Sequence, residues 1–163
     1  KIFFEYGEER FSREIVKNII KERTKNKIEW SDDLASIILE AIPLKYRFGK
    51  IHPATKVFQS LRIEANKELE NIKIGLPKIV SLLKDRAKLG VITFHSVEDR
   101  IVKNIFKYLS LECVCPPKFP KCVCNKKKEI NIIGKPIIPT GSEIGNNPPS
   151  RSAKLRIVER FYE

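Results

Sequence analysis

"KLGVITFHSVEDR", residues 88–100, is the stretch that decides the fold expected for this chain. A short apolar and β-branched run leads into a polar turn and then into a charged segment. The run predicts a strand buried on both faces, because it lacks the polar alternation of a half-exposed strand. Ser96 is the expected N-cap of a following helix, with Asp99 completing a variant of the capping box. A strand that leads directly into a helix indicates an α/β sheet.

The sequence before this stretch predicts helices, and the sequence after it predicts a helix and two more strands. Apolar residues recur at helical spacing in three runs, and a shorter helix is expected after Pro77. The three runs are residues 9–23, 29–43 and 53–72, and the later elements are a helix from Ser96 to Leu109 and strands at 129–133 and 153–163.

The composition favours a polyanionic partner. The chain has 163 residues, with 32 lysines and arginines against 20 acidic residues and a net charge of +12. A basic excess attracts phosphate groups, although a lysine-rich solvated surface would have the same composition. The longest apolar runs are too short for a membrane span, and no basic amphipathic helix carries aromatic anchors. Nucleic acid is therefore the expected partner, with no membrane partner. A cytoplasmic location is expected because no signal-peptide pattern is present.

The first residue and the glycines of the chain bear on whether it is complete. The chain begins with Lys1 and contains no methionine, so we expect a fragment of a longer protein. Its seven glycines are scattered and no G-x-G occurs, which leaves neither a P-loop nor a dinucleotide-binding fingerprint in the sequence.

The turn at the end of the predicted strand is the first candidate site. In open α/β sheets, ligands bind beyond the carboxyl ends of the strands, where His95 and Ser96 would lie. Glu98, Asp99 and Arg100 would follow on the first turn of the helix. The alternative is a structural role, in which Ser96 and Asp99 only cap the helix. A Ser–His–acid hydrolase is not favoured, because the G-x-S-x-G elbow is absent.

Two further stretches carry candidate contacts to phosphate groups. Gln59 and Arg62 are three residues apart and can share one helix face, with Lys56 beside them. There the basic residues would bind phosphates and Gln59 would hydrogen-bond a base edge, or else all three belong to a solvated face. The second stretch, before and within the last predicted strand, contributes Arg151, Lys154 and Arg156.

The four cysteines of the chain fall within one segment, "CVCPPKFPKCVC", in the frame C-x-C-x6-C-x-C. They are Cys113, Cys115, Cys122 and Cys124. Four thiolates satisfy tetrahedral zinc, although C-x2-C spacing is more usual in such sites. Three alternatives stay open: a structural zinc ion, reduced thiols in a loop, and disulfides, which a reducing compartment disfavours.

Four stretches occur together in one order: "EYGEERFSREI", "KIHPATKVFQSLRIEANKELE", "GVITFHSVEDRIVKNIF" and "KPIIPTGSEIGNNPPSRSAKLR". In this order they resemble a bacterial family of small-subunit rRNA methyltransferases, historically called MraW, that modifies N4 of a cytidine in 16S rRNA. The resemblance covers essentially the whole chain, and the cysteine segment is similar to one in many members. Two departures are the missing Pro-Gly-Gly turn before the strand and Pro149 where a basic residue is common.

The resemblance implies a class I, Rossmann-like methyltransferase fold that uses S-adenosylmethionine and carries an inserted helical domain. Residues 1–74 would form most of this substrate-recognition insertion, and residues 75–163 would form the carboxyl half of the catalytic domain. The family's glycine-rich cofactor loop has no counterpart in this sequence. We therefore expect no cofactor-binding residue here and no activity of the chain alone. The alternative function is a non-catalytic, basic RNA-binding module.

The resemblance also implies roles for the candidate residues. His95 and Ser96 would help to form a pocket for a base displaced from its stack, and Glu98 and Asp99 would orient that base. Residues that would contact the RNA backbone or a base edge are Lys56, Gln59, Arg62, Arg100, Arg151 and Lys154. The implied partners are 16S rRNA or the small ribosomal subunit, and a second copy of the chain is a further candidate.

Overall fold

The computed structural model describes residues 1–49, 51–116 and 121–162. The chain divides into two compact units, Lys1–Glu68 and Leu69–Glu163. The domain boundary predicted after residue 74 lies inside a helix that begins at Glu68. No helix among the described residues is both long enough and apolar enough to cross a membrane.

The first unit is built from helices and turns, as its apolar periodicity predicts. Its elements are α1 (Ile2–Glu5), α2 (Ser12–Arg23), α3 (Ser31–Ala41), a 3-10 turn (Leu44–Tyr46) and α4 (Thr55–Ala65). The side-chain amide of Asn18 on α2 donates a 2.8 Å hydrogen bond to the Ile37 carbonyl on α3. Pro43 follows α3, as expected from its inability to continue a helix. The buried core consists of Ile15, Ile38, Ile42, Ala54 and Val57.

The helix predicted over residues 53–72 is in fact two helices. α4 ends at Ala65, Lys67 adopts a left-handed backbone conformation with φ 51°, and the next helix begins at Glu68. Arg62 spans the break with a two-point ion pair to Glu68, with Nε–Oε1 at 2.8 Å and Nη2–Oε2 at 3.1 Å. The prediction of one helix was wrong because Leu69 continues the apolar spacing of α4 across the break.

The second unit combines helices with a three-stranded sheet. Its elements are α5 (Glu68–Leu82), β1 (Lys88–Thr93), α6 (Ser96–Leu109), β2 (Ile130–Ile137), α7 (Gly141–Asn146), a 3-10 turn (Pro148–Ser152) and β3 (Lys154–Arg160). Pro77 lies inside α5, so the separate helix predicted after it is wrong. A proline inside a helix costs about 3 kcal/mol. The burial of Leu76 and Val80 on either side of it offsets this cost.

The sheet has the strand order β1-β3-β2, and β3 is antiparallel to both neighbours. Gly90 of β1 lies opposite Ile157, and Ile132 of β2 lies opposite Val158. The mixed α/β class is therefore confirmed, with strands at the three predicted places. The last strand ends at Arg160, and the predicted strand residue 163 lies outside the described residues. The class I, Rossmann-like order and the inserted domain stay predictions.

The burial predicted for β1 is wrong. Its residues alternate between exposed and half-buried, Ile92 is 58% exposed, and only Thr93 is fully buried. Within the described sheet β1 has one strand neighbour, β3, and so forms an edge. An apolar run does not by itself distinguish a central strand from an edge strand, because β-branched residues suit both.

The core of the second unit fixes the position of α6. Val102, Phe106 and Leu109 lie on one face of α6 at helical spacing, and all three are buried. The remaining buried members of this core are Leu76, Val80, Ile130 and Val158. Because α6 is packed against the sheet through this face, the turn at its N-terminus is held at the end of β1.

Candidate functional site

The turn between β1 and α6 is capped by His95. This residue has an extended backbone, with φ −142° and ψ 161°, and its Nδ1 accepts a 3.4 Å hydrogen bond from the Glu98 N–H. Glu98 reaches back, and its Oε2 accepts a 2.9 Å hydrogen bond from the Phe94 N–H. The prediction of Ser96 as N-cap and Asp99 as its partner was therefore wrong by one residue. An imidazole nitrogen takes the place of the expected hydroxyl oxygen as the capping acceptor.

His95 and Glu98 form a close acid–imidazole pair at the carboxyl end of β1. Nε2 of His95 lies 3.1 Å from Oε1 of Glu98, and both side chains are largely buried. The buried Nε2 has no hydrogen-bond partner among the described residues. Burial raises the pKa of Glu98, but the interactions with His95 and with the Phe94 N–H lower it by a larger amount. The pKa of Glu98 therefore lies below its usual value. The turn therefore holds an ionised carboxylate beside an imidazole.

Asp99 faces the sheet and binds two cations of β3. Its oxygens accept hydrogen bonds from Nε and Nη2 of Arg156 at 2.7 and 3.0 Å, and from Nζ of Lys154 at 3.3 Å. These bonds, chiefly those from Arg156, hold the pKa of Asp99 below its usual value against the opposing effect of burial. Asp99 therefore ties the first turn of α6 to β3, and its proposed part in orienting a base stays a prediction.

The other predicted residues of this unit lie around the same end of the sheet. Ser96 is the first residue of α6, and both Ser96 and Arg100, on the next turn, are exposed. Lys154 begins β3 opposite Thr93, the last residue of β1. Arg151 is exposed in the 3-10 turn just before β3. The register of β1 and β3 thus brings Lys154 to the turn, which sequence spacing could not show.

On the first unit, α4 presents a shallow concave surface. Gln59 and Arg62 share one face, as predicted, and Arg62 is engaged with Glu68. The surface is lined by His52, Thr55, Phe58, Gln59 and Arg62. Lys56 lies outside this lining, and its Nζ donates a 3.2 Å hydrogen bond to the Glu8 carbonyl. The sequence analysis missed Thr55 and Phe58, although their spacing from Gln59 places them on the same face of the helix.

Gly7 has a packing role that the sequence analysis missed. A Cβ atom at this position would lie 2.7 Å from the Lys56 carbonyl oxygen and 2.8 Å from that of Phe3. Both distances are far below van der Waals contact, and both neighbours are backbone atoms. Only glycine therefore allows the end of α1 to approach α4 this closely.

The four cysteines converge, and none forms a disulfide. Their Sγ atoms all lie within 4.8 Å of one another. Residues 117–120, between the second and third cysteines, lie outside the described residues. The segment is therefore the second place where the structure gathers residues that bind ligands in proteins.

The fold defines a helix-and-sheet protein with an acid–imidazole pair where a strand leads into a helix. Comparison with known proteins then shows the family. The model of the MraW methylase family matches residues 1–161, and the chain belongs to that family.

Similar proteins from three bacteria share the printed name "Ribosomal RNA small subunit methyltransferase H". The protein of Caldicellulosiruptor bescii is 51% identical over 161 residues, covering 98% of this chain and 52% of that protein. The proteins of Fusobacterium nucleatum and Clostridium botulinum are 49% and 48% identical, over 100% and 99% of this chain and 51% and 52% of their own lengths. The chain thus spans about half the length of the curated relatives it matches.

Proposed function

We propose that this chain is part of an S-adenosylmethionine-dependent methyltransferase that acts on N4 of a cytidine in 16S rRNA. The observation that carries the proposal is the family match over residues 1–161, together with about half of all positions identical to proteins named as small-subunit rRNA methyltransferases. The methylated atom and the cofactor follow from the family resemblance of the four stretches, not from the names.

The acid–imidazole pair supports a role in holding the base. The exocyclic amine of cytosine is a poor nucleophile because its lone pair is delocalised into the ring. A site must therefore accept hydrogen bonds from its N–H groups and align the nitrogen with the methyl donor. Glu98 offers an ionised carboxylate as the acceptor, and His95 lies against that carboxylate, with Nε2 3.1 Å from Oε1. Ser96 begins the helix beside them and completes the proposed pocket.

Basic residues support RNA binding at the same end of the sheet. Arg100 and Arg151 are exposed, and Lys154 begins the strand beside the turn. Asp99 neutralises part of this charge and holds Lys154 and Arg156 in place. The exposed arginines would bind phosphates while the pocket holds the displaced base.

The residues present here do not fit an S-adenosylmethionine site. Such a site needs a carboxylate for the ribose hydroxyls and a glycine turn that lets the backbone approach the ligand. The glycines are scattered, and the carboxylate of Asp99 is engaged by Arg156 and Lys154. We therefore derive no step through the cofactor. Under this proposal the cofactor is bound by the half of the relatives that this chain does not span.

Substitutions in the complete gene product test the proposal. His95→Ala and Glu98→Gln should lower the rate of methyl transfer from labelled S-adenosylmethionine to small ribosomal subunits, with RNA binding retained. Glu112→Gln, an exposed acid outside the pocket, is the matched control. Unchanged turnover in both pocket variants would show that the pair does not serve the reaction. The 163-residue chain alone should neither bind the cofactor nor methylate RNA.

A non-catalytic, basic RNA-binding module is the second candidate function. It is favoured by the net charge of +12 and by the concave surface of α4, which places Phe58 beside Gln59 and Arg62. An aromatic ring beside an arginine is a combination that binds unstacked bases. The reading frame upstream of Lys1 distinguishes the two functions. A frame with a glycine-rich loop supports the enzyme, and an in-frame start near Lys1 supports the module.

A further inference from the structure

The segment between α6 and β2 carries a cluster of four thiols whose geometry suits a metal ion. The cluster consists of Cys113, Cys115, Cys122 and Cys124. Cys113 lies 3.4 Å from Cys122 and 3.7 Å from Cys124, measured between Sγ atoms. Cys122 lies 3.9 Å from Cys115 and 3.5 Å from Cys124. Each of the four sulfurs therefore lies 3.4 to 3.9 Å from at least one other sulfur.

Four of the six separations are close to the edges of a tetrahedron around zinc, and the other two are within 4.8 Å. Zinc–thiolate bonds of about 2.3 Å in tetrahedral geometry place the sulfurs about 3.8 Å apart. The four measured distances, 3.4 to 3.9 Å, lie around this value. A disulfide would require about 2.05 Å, which no pair approaches. The separations therefore favour a shared metal ion over any of the three possible disulfide pairings.

Backbone groups around the cluster point at the sulfurs. The N–H of Val114 donates to Sγ of Cys124 at 3.4 Å, and the N–H of Val123 donates to Sγ of Cys115 at 3.5 Å. The N–H of Cys115 donates to Sγ of Cys113 at 3.3 Å. Such donors stabilise negative sulfur and orient it as a ligand, as groups outside the coordination shell do in metal sites. The segment therefore supplies backbone hydrogen-bond donors to the sulfurs in addition to the four thiols.

The charge and exposure of the segment also suit a bound metal. Zinc with four thiolates carries a net charge of about −2. Four lysines flank the last two cysteines in sequence: Lys121, Lys126, Lys127 and Lys128. Val114 and Val123 are exposed, so these two apolar side chains do little to hold the described part of the segment by burial. A metal cross-link supplies the order that burial cannot supply in so small a segment.

We propose that Cys113, Cys115, Cys122 and Cys124 bind one structural zinc ion through four thiolates. All four positions around the ion are then occupied by protein sulfurs, so the site has no place for a catalytic water. The ion closes the loop next to the Glu129 N–H, which donates a 2.9 Å hydrogen bond to the Leu109 carbonyl. Leu109 and Ile130 are both buried, so the loop is anchored in the core at its two ends. The proposal does not depend on the proposed methyl transfer.

Metal analysis of the complete gene product, purified under reducing conditions, tests this directly. Elemental analysis should find one zinc per chain, and a colorimetric chelator should release it only after the thiols are modified. Replacement by cobalt should give thiolate-to-metal charge-transfer bands and the visible bands of a tetrahedral site. Cys115→Ser and Cys122→Ser should lose most of the metal. Val123→Ala, which keeps every thiol and backbone donor, should retain it.

Three results would overturn the proposal. One is a zinc content no higher than that of a variant with all four cysteines replaced by serine. Another is the detection by mass spectrometry of disulfides among these cysteines in protein that was purified under reducing conditions. The third is iron in place of zinc, which four sulfurs also bind. The cobalt spectrum is measured on the unsubstituted protein, so a serine variant that fails to fold leaves the proposal testable.

Discussion

The ion pair between Asp99 and Arg156 gives the most quantitative prediction. The Asp99 side chain is 11% exposed and that of Arg156 is 17% exposed, and two hydrogen bonds of 2.7 and 3.0 Å join them. Asp99→Asn keeps the size of the side chain but removes its charge. The guanidinium of Arg156 is then left largely buried without its counter-ion, and Lys154 loses the same partner.

The expected loss follows from this burial. Removing one partner of a buried ion pair costs about 3–5 kcal/mol, and an exposed pair is worth about 0–1 kcal/mol. The slight exposure of both side chains places the loss at the lower end, about 3 kcal/mol at neutral pH. This is about a hundredfold in the unfolding equilibrium.

The stability that Asp99→Asn loses should depend on pH, in a direction set by the lowered pKa of Asp99. The pKa of Asp99 is lowered in the folded protein, so the pair stabilises the fold above the unfolded-state pKa of about 4. This contribution is lost as the pH falls through the lower, folded-state value. The difference in stability between Asp99→Asn and the unsubstituted chain should therefore be full at neutral pH and shrink below about pH 4.

Urea unfolding at several pH values measures this difference. Glu112→Gln is the control, because Glu112 is 81% exposed and lies 3.9 Å from Lys128 in the same unit. It should change the unfolding free energy by less than about 1 kcal/mol. A double-mutant cycle with Arg156→Gln should give a coupling energy of about 1–3 kcal/mol. A loss below about 1 kcal/mol for Asp99→Asn, or one that does not vary with pH, would refute the reasoning.

Two further substitutions test the packing of the two units. Gly7→Ala would place a Cβ atom 2.7 Å from a backbone oxygen, so it should destabilise the first unit and speed amide exchange in α4. The control is Gly75→Ala, whose Cβ atom would meet nothing within 4 Å and which should not destabilise the protein. A Gly7→Ala protein as stable as the unsubstituted chain would contradict the close approach. Phe106→Ala should cost about 3–5 kcal/mol in thermal or urea unfolding, because Phe106 is buried in the core of the second unit. Tyr108→Ala, at an exposed position on the same helix, should cost much less, and equal losses would show that the core is elsewhere.

Local patterns predicted most helices and all three strands but not their burial. The apolar stripe on α2 and the proline after α3 were sufficient to predict these two helices, because both signals act within a few residues of the chain. The break at Lys67 was missed because Leu69 keeps the apolar period of the helix. A lysine is not a residue type that indicates the left-handed backbone conformation seen at this position. The edge position of β1 depends on which strands lie beside it, and a single strand's residues do not contain that information.

The candidate site was predicted in place but not in its contacts. The sequence located the turn at the end of β1, since a strand followed by polar residues and a helix is a local signal. It misassigned the cap, because the choice between His95 and Ser96 depends on backbone angles. The contact of Asp99 with Arg156 joins residues far apart in the chain and becomes visible only through the register of β3. The cysteine spacing, by contrast, left a shared site as one of three alternatives, and the structure shows that the four thiols converge.

The nature of the methylated nucleoside tests the central claim most directly. The complete gene product is incubated with S-adenosylmethionine and small ribosomal subunits that lack the modification, and the RNA is digested to nucleosides for mass spectrometry. If the proposed function is correct, the product is N4-methylcytidine, formed at a much lower rate by the Glu98→Gln variant. Methylation of a ring carbon or of a ribose hydroxyl, or no methylated nucleoside at all, would contradict it.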